Sequence, residues 1–367
     1  MIVPGSNASR YPDWIPAGIL AILCGAIYLA LRPPLFDNDG YRDRIYGLQP
    51  HWFYNFNPHH LLWIPGQALI ARIATGLGDP TTVPFQLVGI LASTITLFLF
   101  YVLIRRASGN TVFACSAPVF IAFSPEFWHL GQQNRVYAFV FLGLVIYLML
   151  WDAADGSPPT GLRLVAAGVL IVLLALLQQA MVFFVGAGAI VLIMSSKDAL
   201  RTRSFRAAAW SAGIGLTVFL AYVSAWSVAA TDQPFVHWTL KFAYVLHSPS
   251  LYDLGLPMCL IKAVMGLSGV LLQSVVIKDY LTSNYSSRAI YTLYASIGVL
   301  ALVGISWWAR RDHVGKVVSR LIRVNALFAV SSLSTLLWIA FVVIWQPAEP
   351  HFWCAALFPS SRWPMEP

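Results

Sequence analysis

Between residues 31 and 63 the chain reads LRPPLFDNDGYRDRIYGLQPHWFYNFNPHHLLW, and no other segment is so rich in titratable groups. Asp37, Asp39 and Asp43 supply carboxylates, Arg42 and Arg44 fixed positive charge, and His51, His59 and His60 imidazoles. A carboxylate in such a place can take a proton from a hydroxyl or hold a divalent cation through oxygen. Asp37 and Asp39, spaced Asp-x-Asp, would point the same way on an extended segment, as paired metal ligands do. The histidines lack the HxH or HExxH spacing that sets two imidazoles on one metal. The alternative is a solvated loop whose charges keep it in water, and the aromatic residues of the segment argue against it.

A second cluster, SPEFWHLGQQNRVYAF, covers residues 124–139 and holds Glu126, His129, Gln132, Asn134, Arg135 and Tyr137 between two apolar runs. Ionisable groups at the depth of an apolar span are costly and are kept where they face a cavity. An arginine there can hold a phosphate with its planar fork, or simply anchor a helix in an interfacial belt with Trp and Tyr. At the far end, WQPAEPHFW brings Glu349 and His351 together beside two prolines, as a tight exposed turn also would. No P-loop, dinucleotide fingerprint or nucleophile-elbow pattern is present.

The elements that must position these residues are apolar. Of 367 residues 58% are hydrophobic and 10% charged, against about 25% charged in an ordinary soluble domain. Apolar runs recur at 14–31, 85–104, 111–123, 136–151, 162–177, 180–194, 207–229, 289–308 and 324–345. They predict an all-α polytopic membrane protein of about nine transmembrane helices. The first run lacks a small-residue cleavage site and reads as a retained helix. Cys24, Cys115, Cys259 and Cys354 lie in or beside apolar runs and read as buried thiols.

The net charge of +8 does not point to nucleic acid, because the basic residues sit in short links rather than on one face. Arg105 and Arg106, then Lys197, Arg201, Arg203 and Arg206, then Arg310, Arg311, Lys316, Arg320 and Arg323 are cytoplasmic links by the positive-inside rule. With the N-terminus cytoplasmic, the segments 59–76 and 258–277 must then not cross. They predict two interfacial helices, the first interrupted by Pro65 and Gly66. The whole chain, 1–367, reads as a single transmembrane domain with outward loops at 32–83 and 230–288. The apolar run that restarts at Phe352 stops at Pro359, as a span cut short or a short tail would.

The order of features resembles the GT-C fold glycosyltransferases, in particular bacterial relatives of protein O-mannosyltransferases and aminoarabinose transferases. An acidic loop after the first span is followed by NPHHLLWIPGQALIARIATGLG, a span ending YVLIRRASG, and a turn reading FSPEFWHLGQQNRVYAF. The likeness covers residues 14–151. It implies transfer of a sugar from a polyprenyl-phosphate carrier to a glycan, lipid or protein acceptor at the outer face of a bacterial plasma membrane. Asp37 and Asp39 match the family's acidic loop, where one carboxylate is the catalytic base. Asn57, His59 and His60 stand where the family has His-Pro-Pro-Leu, and Arg135 and Tyr137 match the turn near the lipid-phosphate site. No cofactor is implied with certainty; a divalent cation is possible in such an acidic loop.

A multi-span transporter or lipid flippase is the competing reading, and a non-catalytic scaffold that kept the fold is a third. Transporters carry broken helices at matching positions of two halves and ionisable residues near the bilayer midplane. Here the runs are nearly free of charge and the polar groups gather at their ends, which favours chemistry at a surface.

Overall fold

The computed structural model describes residues 14–33, 44–49, 56, 58, 60–77, 83–133, 135–153, 157–195, 199–229, 231–241, 256–263 and 326–345. These are mostly helical, with no strand among the described residues. In chain order the helices are α1 (Trp14–Ala30), α2 (Trp63–Gly76), α3 (Val83–Ser108), α4 (Thr111–Ala122), α5 (Pro125–Gln132) and α6 (Tyr137–Trp151). There follow α7 (Gly161–Leu177), a 3₁₀ turn (Gln179–Val182), α8 (Phe183–Ser195), α9 (Leu200–Val228), α10 (Phe235–Lys241) and α11 (Ala326–Trp345). Shorter helical stretches lie at 44–48 and 256–263.

Among the described residues, α3 and α9 are long and apolar enough to cross a membrane, and the bent pair α4–α5 adds a third candidate. The helices α1, α6, α7 and α11 are apolar but shorter. The expected run at 289–308, most of 258–277, and Glu349 and His351 lie outside the described residues. The expected interfacial segment 59–76 folds as α2, 14 residues long, or about 21 Å at 1.5 Å per residue. That is short of the ~30 Å hydrocarbon core. Pro65 does not interrupt it, because the third residue of a helix has no intrahelical N–H bond to lose.

The exposure pattern is the reverse of a water-soluble helix. The buried stripe of α1 is Ala17, Ala21, Cys24 and Tyr28, whereas Ile15 is 72% and Ile22 71% exposed. Small residues turned inward and large apolar ones outward is how helices pack when lipid, not water, is outside. Large apolar residues also face outward on α9, at Phe205, Leu216, Phe219 and Leu220. Close approach is visible at Gly25, where a Cβ would come within 2.9 Å of Thr94 Oγ1 on α3.

The centre of the bundle is α3 and α6, packed on each other, with α1 and α4 against α3, and α7 and α11 against α6. Beyond them α8 bridges α9 and α11. Hydrogen bonds between elements sort the helix termini into two ends of the bundle. At one end, Tyr28 Oη donates to the Ala122 carbonyl, Gln86 Nε2 to the Pro33 carbonyl (2.8 Å), and the Leu62 N–H to the Leu176 carbonyl (3.0 Å). At the other, Arg163 Nη2 donates to the carbonyls of Leu150 (2.9 Å) and Asp152 (3.0 Å), closing the end of α6, and Trp210 Nε1 donates to Leu164 (3.1 Å). Consecutive long helices therefore run antiparallel.

Arg105 and Arg106 close α3 at the second end, where cations suit the helix dipole. Gly109 there takes φ +65°, and its N–H reaches the Arg105 carbonyl at 2.9 Å, which ends the helix. Asn110 then caps α4 through its side chain, accepting from the Phe113 N–H at 3.1 Å. These caps turn the chain within two residues.

Candidate functional site at one end of the bundle

The segment that carries Asp37 and Asp39 lies outside the described residues, as do Asn57 and His59. Its two flanks are placed. Pro33, on the near side, holds Gln86, and the guanidinium of Arg44, on the far side, lies 5.8 Å from the ring centre of Phe85. Both anchors are neighbouring residues in the first turn of α3. The helical turn 44–48 also sits on α2 so closely that a Cβ at Gly47 would stand 2.6 Å from Gln67 Cβ and 2.8 Å from its backbone carbon. Glycine is required there because α2 backbone occupies the space a side chain would need.

The stretch 58–63 is fixed next. Tyr222 Oη on α9 donates to the Pro58 carbonyl at 2.6 Å, and Trp63 packs on Phe139 with ring centres 5.5 Å apart. His60 Nδ1 lies 2.8 Å from the Leu177 carbonyl at the end of α7. A carbonyl only accepts, so Nδ1 carries the proton of this bond. The ring meets Tyr137 edge-on at 6.3 Å between centres. Segments far apart in the sequence thus converge on one imidazole.

The third component is α5. The sequence reading placed an outward turn over 124–139; the structure makes an eight-residue helix there and packs it inside the bundle end. Ser124 and Pro125 start it, as Ser at the cap and Pro at the first helical position favour. It bends 67° from α4. Gln132 Nε2 donates to the Tyr28 carbonyl at 2.8 Å. A Cβ at Gly89 on α3 would stand 2.9 Å from the Gly131 carbonyl oxygen, so the two backbones touch.

Glu126 is 6% exposed, and Gln132 and Gln133 are buried with it. Glu126 and His129 lie three apart on one face of α5. Arg135 follows at a half-buried position with its N–H on the Gln133 carbonyl (2.8 Å), two residues before Tyr137. A buried carboxylate, two histidines, an arginine and a phenol therefore gather at the same end of the bundle as both flanks of the acidic loop.

Of the residues singled out in the sequence, the structure brings His60 and Tyr137 into contact and sets Arg135 at the adjoining α5–α6 junction. Among the described residues no group of three or more His, Cys, Asp and Glu could hold a metal ion. Sequence reasoning passed over Gln178, Gln179 and Tyr222. A signal for the first two existed: they are the only polar residues between the apolar runs 162–177 and 180–194. Gln178 takes an extended conformation (φ −146°, ψ 107°) that breaks α7 from the 3₁₀ turn. It is 1% exposed. Tyr222 carries no such signal, since a tyrosine in an apolar run reads as filling.

No family model matches this chain, and no curated protein matches it at a significant level.

Proposed function

We propose that this chain is a multi-pass membrane glycosyltransferase of the GT-C kind, with the His60 end of the bundle as its active end. It moves a sugar from a polyprenyl-phosphate carrier to a glycan, lipid or protein acceptor. The observation that carries this reading is the convergence of His60, Tyr137, Arg135 and Glu126 with both flanks of the Asp37–Asp39 loop. The opposite end collects arginines, the pattern of a cytoplasmic side. The N-terminus then lies in the cytoplasm and the active end faces outward across a bacterial plasma membrane, in a bundle of about nine spans with α2 lying along the interface.

In the reaction the acceptor oxygen attacks the anomeric carbon and the bond from that carbon to the phosphate oxygen breaks. The transition state resembles the oxocarbenium ion of glycoside hydrolysis. The acceptor proton passes to Asp37 or Asp39, a transfer typically contributing ~10²- to 10⁴-fold in rate. Arg135 offers a planar fork to the departing lipid phosphate, and His60 offers a second neutralising group. A divalent cation held by the aspartates would serve the same phosphate.

The competing reading, a transporter or flippase, calls for charged residues along the spans. The charged residues described here lie toward helix ends instead. The test is transfer from a labelled polyprenyl-phosphate sugar in membranes carrying wild type, Asp37→Asn or Asp39→Asn. Loss of transfer in at least one variant supports the reading. Wild-type rates in both would sink it.

A further inference from the structure

We infer that Gln178 is a sugar-reading residue: its carboxamide accepts a hydrogen bond from a hydroxyl of the carbohydrate that binds beside His60. This rests on the glycosyl-transfer reading above and gives that site a specificity determinant.

Gln178 is 1% exposed, and among the described residues no donor meets its Oε1. The neighbouring donors are committed to backbone carbonyls. The Leu174 carbonyl receives the Gln178 N–H (2.7 Å), the Leu176 carbonyl the Leu62 N–H (3.0 Å), and the Leu177 carbonyl His60 Nδ1 (2.8 Å). Next to it, Gln179 Oε1 is likewise buried with no donor among the described residues. Buried acceptors are almost always paired, and an apolar side chain at either position would carry no such cost. Two adjacent carboxamide oxygens with no donor among the described residues, beside the His60 imidazole, are therefore expected to meet a donor that arrives with a ligand.

The chemistry of the amide selects the class. A carboxamide is neutral, has no titration in the working range, and both donates and accepts. It matches a hydroxyl, which does the same, and offers no charge to a phosphate. A site built to pair a substrate hydroxyl rejects the analogue that lacks or misplaces it far more strongly than an apolar pocket rejects a change of size. The break at Gln178 is what makes this possible. A continued helix would have turned position 178 along the α7 surface, whereas the extended residue sets its side chain at the turn that His60 also touches.

The test uses the full-length protein, purified in detergent, with wild type, Gln178→Leu, Gln179→Leu and Gln178→Glu. Thermal stabilisation and transfer are measured with polyprenyl-phosphate-linked glucose, mannose and galactose, with bare polyprenyl phosphate, and with free disaccharides of the same sugars. Wild type is expected to prefer one epimer, and Gln178→Leu to lose about tenfold in affinity for that epimer while binding bare polyprenyl phosphate unchanged. Gln178→Glu, which keeps an acceptor oxygen at the same reach, is expected to keep the preference. A loss confined to the free disaccharides assigns the hydroxyl to the acceptor rather than to the donor.

A wild type that binds donors without discriminating between epimers overturns the inference. So does a Gln178→Leu variant that keeps the wild-type preference among both the donors and the free disaccharides, and that result leaves glycosyl transfer standing. A wild type that neither binds nor transfers any donor overturns the functional reading itself, and the inference with it.

Discussion

Replacing Gly89 by alanine would test how tightly α5 is seated, and the geometry sets the size of the effect. In a helix interior the exchange alone stabilises, by up to about 1 kcal/mol. Against it stands the new Cβ, 2.9 Å from the Gly131 carbonyl oxygen and 3.4 Å from that of Gln133. Both obstacles are backbone, so α5 as a whole must give way by roughly half an ångström. Overpacking of this kind costs about 1–3 kcal/mol. Gly18→Ala in α1 is the control, because nothing lies within 4 Å of its Cβ position. The two variants share the helix-propensity gain, and their difference isolates the clash. Reversible unfolding in mixed detergent micelles, followed by helical ellipticity, should place Gly89→Ala about 1–3 kcal/mol below Gly18→Ala. Since α5 carries Glu126 and His129, Gly89→Ala should also reduce transfer while Gly18→Ala does not. Unfolding of both variants at the same denaturant concentration would refute the close packing of α3 on α5.

Other perturbations follow from single contacts. Tyr222→Phe removes the donor to the Pro58 carbonyl; about 1 kcal/mol should be lost, together with transfer activity, because Pro58 and His60 are held as one stretch. Trp210→Phe removes the bond to the Leu164 carbonyl at the opposite end and the indole edge packed on Gly188 and Trp151, so a loss of about 1–3 kcal/mol should leave transfer intact per folded molecule; a variant with impaired transfer would contradict the placement of the active end. Arg135→Lys keeps the charge but loses the planar fork, so donor KM should rise about tenfold with little change for bare acceptor, consistent with the extra strength of a bidentate charged pair. A compartment reporter placed after Arg106 should fall on the same side as one at residue 153 and opposite one after Pro33; an opposite result would mean that α2 crosses.

The helices were legible in the sequence because their apolar runs are long, and their ends were not. The run expected at 207–229 begins as a helix at Leu200, since Arg201, Arg203 and Arg206 are good helix formers that a hydropathy reading excludes. Conversely, the low apolar content of α5 reads as a turn, although Ser124-Pro125 is a helix-start signal. The candidate site was legible where it depends on residue type and local order: His60, Arg135 and Tyr137 stood out as polar groups between apolar runs. What could not be read is convergence. That His60 would meet the carbonyl of Leu177 depends on contacts 117 residues apart, and nothing local encodes them. The buried state of Gln178 is hidden for the same reason.

The central claim is that the His60 end is a reactive surface on the side opposite the Arg105–Arg106 link. Sealed vesicles of known orientation, loaded with a labelled polyprenyl-phosphate sugar, would measure it directly. Product is predicted when the acceptor is supplied on the side opposite that link, and the double variant Asp37→Asn, Asp39→Asn should lower the rate by ~10²-fold or more. Product formed only with acceptor on the Arg105 side, or a double variant as active as wild type, would contradict the account.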